Sequence, residues 1–127
     1  MRRSIIVALA VAIVTLALGL FSEGRISALA EGCQQGLYRV GESLNAEDWT
    51  RAQAQTTALL ARWEKEIDAV QLWVNHEDAC AVTRSLRGLL ASLTLRDSLS
   101  SLLYYGECME NFAHLYHRDA FTLKNIL

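Results

Sequence analysis

A chain of 127 residues has room for one modest core, and 52% of it is apolar, above the roughly 45–50% of soluble chains, with the excess in roughly the first twenty positions. Twelve Lys and Arg against fourteen Asp and Glu give a net charge of −2, which excludes the basic field that nucleic-acid binding requires. Proline is absent and no strand-like alternation follows the leader, so helix is predicted throughout.

Ile5 to Phe21 is an apolar run relieved only by Thr15 and Gly19, preceded by Arg2 and Arg3 and followed by Ser22, Glu23, Gly24 and Arg25. At about 1.5 Å per residue it reaches the lower end of a spanning helix. The arginines lie before the run and no positive excess follows it, which places the N-terminus in the cytoplasm and everything after Phe21 outside. A cleaved signal peptide is the rival, because Ala28-Leu29-Ala30 has the small-x-small pattern of a cleavage site. The apolar run exceeds the roughly 7–15 residues of a signal core, however, and Leu29 fits the stripe of the next helix. Residues 1–22 therefore read as a single-pass anchor in the cell membrane, touching lipid through residues 5–21.

Over 23–45 the apolar positions Ile26, Leu29, Cys33, Leu37, Val40 and Leu44 step by three and four, one stripe on a helix. Its glycines at 24, 32, 36 and 41 each weaken it by up to about 1 kcal/mol, so it reads as a loosely held connector unless it packs or continues the membrane helix. Gly32 and Gly36 form a small-xxx-small pair, but outside an apolar span that pair is weak ground for dimerisation, and a homo-oligomer is left open.

Asn45 reads as the cap of a helix over about 46–74, with Asp48 in its first turn and a stripe of Trp49, Ala52, Thr56, Leu60, Trp63, Ile67, Val70 and Val74. Asn75 reads as the stop, and His76-Glu77-Asp78 opens a helix over about 77–95 that turns Ala79, Val82, Leu86, Leu89, Leu90 and Leu93 inward. Arg96-Asp97-Ser98 reads as a break, with Asp97 capping a helix over about 98–121. Its predicted inward stripe is Leu99, Leu102, Gly106, Met109, Ala113, Tyr116, Ala120 and Leu123, flanked by Leu103, Phe112 and Leu115, and this widest apolar face makes it the central element. Short connections favour antiparallel neighbours. The fold class is all-α: an N-terminal transmembrane helix followed by an antiparallel bundle of three to four helices, with an extracytoplasmic domain over 46–127.

Two stretches resemble a family of small single-pass bacterial membrane proteins, domain of unknown function 4363. The first is Trp49 with Trp63-Glu64-Lys65 and Asn75-His76-Glu77-Asp78. The second is His114-Leu115, Arg118-Asp119 and the ending Thr122-Leu123-Lys124-Asn125-Ile126-Leu127. The resemblance implies an anchored helical domain with a multi-pass membrane protein as partner, and it brings no catalytic residues. Cys80 and Cys108 depart from the family pattern.

In an antiparallel hairpin turning near Arg96, positions whose numbers sum to about 192 face one another, which sets His76 opposite Tyr116 and gathers His76, His114 and His117 at one end. Glu107, Glu110, His114 and His117 share a face, so His76, His114, His117 and Glu110 are candidate ligands for a divalent ion. The competing reading is a solvated polar face with His114 packed against the helix over 46–74, since neither H-E-x-x-H nor C-x-x-C occurs.

Three cysteines leave at least one unpaired. Cys33 reads as a small buried hydrophobe, and a Cys80–Cys108 disulfide needs a shift in register. Trp49 and Trp63 read as core, while Trp73 lies off the stripe and suits a partner surface or a membrane interface. No G-x-S-x-G, S-x-x-K or Gly-rich phosphate loop is present, so neither enzyme nor cofactor is expected. The expected function is a membrane-tethered extracytoplasmic interaction module; the alternative is a metal-binding or sensory domain using His76, His114 and His117.

Overall fold

Four helices follow one another in the computed structural model, α1 (Arg2–Asn45), α2 (Trp49–Val70), α3 (His76–Thr94) and α4 (Ser98–Ile126). The structure describes residues 1–70 and 74–126, and their side chains except at 22, 23 and 116–126. No strand occurs among the described residues, so the chain is all-α.

The 44 residues of α1 make a rod of about 66 Å with two roles. Its first part, with the side chains of Ile5 to Phe21 almost all exposed, is long and apolar enough to cross a membrane. From Ile26 the same helix enters the core, burying Ile26, Leu29, Ala30, Cys33, Leu37, Val40 and Leu44. The loose connector expected over 23–45 is thus a full member of the bundle, because three of its glycines, Gly32, Gly36 and Gly41, are where neighbours come close. A Cβ on Gly32 would meet the Arg62 guanidinium at 2.6 Å, one on Gly36 would meet Leu59 Cδ1 at 3.1 Å, and one on Gly41 would meet the Tyr105 hydroxyl at 2.5 Å. What the glycines cost in helix propensity they return by admitting α2 and α4.

Helix α1 packs on α2 and α4, and α3 packs on the same two, so the helices form an antiparallel four-helix bundle in cyclic order. The rings of Trp63 and Phe112 bridge the α2–α4 diagonal. The expected register of α3 on α4 holds: Asn111 Nδ2 donates to the Ala81 carbonyl at 3.2 Å and to Ser85 Oγ at 3.1 Å, and Tyr104 lies against Gly88.

The two turns at the far end from the apolar segment are copies of one another. Glu47 N–H donates to Leu44 O and Asp48 N–H to Ser43 O, at 3.0 and 2.9 Å; Arg96 donates to Leu93 O and Asp97 to Ser92 O, at 3.1 and 3.0 Å. This pairing is a Schellman ending, in which the residue after the cap turns left-handed. Here Glu47 and Arg96 take that role, with φ of 57° and 53°. The turn carries α1 through Asn45, so capping of α2 passes from Asn45, where it was expected, to Asp48, whose Oδ1 accepts from Arg51 N–H at 3.2 Å. Asp97 Oδ1 does the same for Ser100 N–H at 3.2 Å, and hydrogen bonds from the Ser100 backbone and hydroxyl hold its carboxyl below the usual range. Asn75, expected as a stop, caps α3 by accepting from Glu77 N–H at 2.8 Å.

The likeness extends beyond the turns. An offset of 49 residues, the separation of Ser43 from Ser92, carries the buried Cys33, Leu37, Val40 and Leu44 onto the buried Val82, Leu86, Leu89 and Leu93. It carries Ala52, Leu59 and Trp63 onto Ser101, Cys108 and Phe112, all buried. The α1–α2 and α3–α4 hairpins are therefore two versions of one unit, facing each other about an approximate two-fold axis near Trp63 and Phe112.

Helix α4 departs from its predicted face. Ser101, Cys108, Phe112 and Leu115 are buried, while Leu99, Leu102, Leu103 and Gly106 are exposed, a rotation of about one residue. The helix has apolar residues on two faces, and the outer one is richer in leucine than the inner one.

Candidate functional site

The misplaced leucines of α4 gather at the end of the bundle remote from the apolar segment. Leu95 in the α3–α4 turn and Leu99, Leu102 and Leu103 in the first turns of α4 are 79%, 69%, 58% and 63% exposed. Beside them a groove of about 480 Å³ between α1 and α4 is lined by Tyr38, Gly41, Glu42, Leu44, Leu102 and Tyr105. Burial in the groove raises the Tyr105 hydroxyl pKa above its usual value.

The internal repeat supplies a control for this surface. The positions equivalent to Leu95, Leu99, Leu102 and Leu103 in the first hairpin are Ala46, Thr50, Gln53 and Ala54. The fold therefore makes the same turn and the same helix start without large apolar side chains at these four positions. Covering a leucine contributes about 1.5–3 kcal/mol, so four uncovered leucines carry a large unrealised binding potential.

A second feature lies between α2 and α3. A cleft of about 360 Å³ is lined by residues that include Glu64, Asp68, His76, Cys80, Thr83 and Arg87. His76 opens α3 and Cys80 follows one turn later, which puts both side chains on one face, with Cys80 Sγ 3.5 Å from His76 Nε2. Arg87 Nη2 pairs with Glu64 Oε1 at 2.9 Å, and Trp63 Nε1 donates to Thr83 Oγ1 at 3.0 Å. Of the expected ligands that are described, only His76 lines this cleft. Glu110 and His114 are exposed on α4, and His114 is not packed as a core ring. The side chain of His117 and all of Trp73 lie outside the described residues. Among the described residues no group of three or more His, Cys, Asp or Glu is placed to hold a metal. What sequence reasoning missed is His76 with Cys80, and the four-residue spacing within one helix was the signal that could have found it.

The family described as Domain of unknown function (DUF4363) matches residues 20–126. The chain belongs to the DUF4363 family. The matched stretch takes in the whole bundle, so the DUF4363 domain includes the packed half of α1 as well as the helices from Trp49 onward. No curated protein and no solved structure matches the chain.

Within this DUF4363 bundle all three thiols are free. Cys33 and Cys108 are buried, and burial pushes each up to about 11; a hydrogen bond with Ser85 acts in the opposite sense on Cys108. Cys33 is the small buried hydrophobe the sequence led us to expect. Cys80 is not bridged to Cys108, and its near neighbour is the imidazole of His76 instead.

Proposed function

We propose that this chain is a membrane-tethered, extracytoplasmic interaction module without catalytic activity, which presents the leucine face of α4 to a protein partner. The observation that carries the reading is the exposure of Leu95, Leu99, Leu102 and Leu103 where the equivalent turn has Ala46, Thr50, Gln53 and Ala54. Folding does not require those leucines, and water disfavours them. The length of α1 from Phe21 to Asn45 sets the face on the order of 40 Å beyond the lipid. The partner is a membrane or envelope protein with an apolar helical surface, a description that a multi-pass protein satisfies.

Anchoring rather than cleavage is supported by the core itself. Cleavage after Ala30 would remove Ile26, Leu29 and Ala30, all buried against the other helices. Arg2 and Arg3 before the apolar run favour a cytoplasmic N-terminus and an outside bundle.

The test is photo-crosslinking of the full chain in native membranes, with the photoreactive residue placed at Leu99 or Leu103 and, as controls, at Thr50 or Ala54. Protein adducts from the α4 positions alone support the module. Adducts from none of them, or equally from all four, reject it, and release of the chain by an alkaline carbonate wash rejects the tether separately.

A further inference from the structure

The cleft between α2 and α3 has chemistry that the interaction module does not use. We propose that His76 and Cys80 form a two-ligand chelate for a thiophilic transition-metal ion, zinc(II) or copper(I), independently of the leucine face.

The geometry comes first. In a tetrahedral site with metal–sulfur and metal–nitrogen bonds of about 2.3 and 2.0–2.1 Å, the sulfur and nitrogen stand about 3.5 Å apart. Cys80 Sγ and His76 Nε2 are 3.5 Å apart. The pair already stands at the separation that two corners of such a tetrahedron require, and one helical turn of backbone holds the spacing.

The donor set selects the ion. A thiolate with an imidazole favours zinc(II) and copper(I) over the oxygen-seeking calcium and magnesium. Both groups line the open cleft, His76 exposed and Cys80 half-buried, whereas Cys33 and Cys108 are shut in the core. Glu64 and Asp68 on the α2 wall line the cleft with carboxylates. The nearby cations have other contacts: Arg87 pairs with Glu64, and Arg84 Nε donates to the Cys80 carbonyl. No third protein ligand closes on the pair among the described residues, so the remaining positions belong to water or to a ligand brought in from outside.

The step balances simply. The ion bonds to the sulfur and to the imidazole nitrogen, and the thiol proton leaves to solvent with no change of oxidation state. Binding therefore weakens as pH falls.

The experiment is a titration of the detergent-solubilised full chain with cobalt(II), a spectroscopic substitute for zinc(II). The expected result is a thiolate-to-cobalt charge-transfer band saturating at one ion per chain, bleached by added zinc(II). Cys80→Ser removes the band, and His76→Ala weakens binding at least about tenfold. Cys33→Ser, Cys108→Ser and the pair His114→Ala with His117→Ala leave both unchanged. All substitutions at 76 and 80 are checked for unaltered helicity by circular dichroism, and Cys80→Ala is a second variant should Cys80→Ser unfold. No charge-transfer band at submillimolar cobalt(II), a band that survives loss of Cys80, or one abolished by the His114 and His117 substitutions overturns the assignment.

Discussion

Trp63 and Phe112 meet edge to face, with ring centroids 5.7 Å apart and planes inclined at 79°, and they occupy the same position in the two halves of the bundle. The indole also has its polar handle satisfied by Thr83. Each hairpin thus contributes one aromatic to a shared centre, which joins α2 to α4 across a diagonal their backbones do not bridge. Replacing Trp63 or Phe112 with Ala should each cost about 3–5 kcal/mol in urea unfolding followed by circular dichroism. In the double variant the costs should fall short of additive by roughly 0.5–1.5 kcal/mol; strict additivity would mean that the ring contact contributes nothing.

The duplicated turns predict a gain. Glu47 and Arg96 hold left-handed conformations that favour glycine. Glu47→Gly and Arg96→Gly should each raise stability by roughly 0.5–1 kcal/mol after the added freedom of the unfolded chain is counted. The two gains should sum, since the residues lie in separate turns. A loss on either substitution would show that the side chain makes a contact outweighing the strain.

Two glycines should respond in opposite directions. At Gly41 a Cβ runs into the half-buried Tyr105, so Gly41→Ala should cost about 1–3 kcal/mol. At Gly106 nothing lies within 4 Å, and Gly106→Ala should stabilise α4 by up to about 1 kcal/mol. Thermal unfolding of the two variants side by side decides this, and equal shifts would contradict the packing of α1 on α4.

The thiols should separate by reactivity. Under native conditions iodoacetamide should label Cys80 and spare Cys33 and Cys108, as read by peptide mass spectrometry. The buried pair also predicts a pH dependence. Their folded values of about 11 lie above the ordinary thiol value of 9.0 that holds in the unfolded chain. Their contribution to stability is therefore complete below pH 9.0 and is lost as pH rises through about 11, because only the unfolded chain can ionise them early. A chain carrying Cys33→Ala and Cys108→Ala should show a flatter alkaline decline, whatever its stability at neutral pH.

Truncation probes the seam between the apolar start of α1 and the bundle. A fragment starting at Gly24 keeps the core intact, whereas one starting at Glu31 lacks Ile26, Leu29 and Ala30. The shorter fragment should be less stable by roughly 3–6 kcal/mol in denaturant unfolding. Equal stability would restore cleavage after Ala30 as a serious reading.

How far the sequence revealed this molecule varied with the helix. The packed stripe of α1 is legible apart from Ala30 and Ser43, since Ile26, Leu29, Cys33, Leu37, Val40 and Leu44 recur at helical spacing and are all buried. Helix α4 misled because Leu99, Leu102 and Leu103 outweigh Ser101 and Cys108 in hydrophobicity, although the smaller pair is buried against α3 and the core. Asn45 reads as a cap because Asn45, Glu47 and Asp48 are all polar, and only the left-handed backbone of Glu47 decides that Asp48 is the one that caps α2. The repeat was hidden by substitutions that keep burial while changing identity, such as Leu59 for Cys108 and Ala52 for Ser101. The His76 and Cys80 pairing is hard to see in the sequence because an i, i+4 pair on one helix has no motif of its own, whereas three histidines meeting across a hairpin look like a ligand set.

The unbroken course of α1 has a mechanical consequence. With no joint between its apolar start and its packed half, the rod works as a lever, and in a bilayer a lean of about 10° would sweep the leucines at its far end sideways by roughly 7 Å. Changes in lipid thickness that alter that lean would then be felt wherever those leucines are seated.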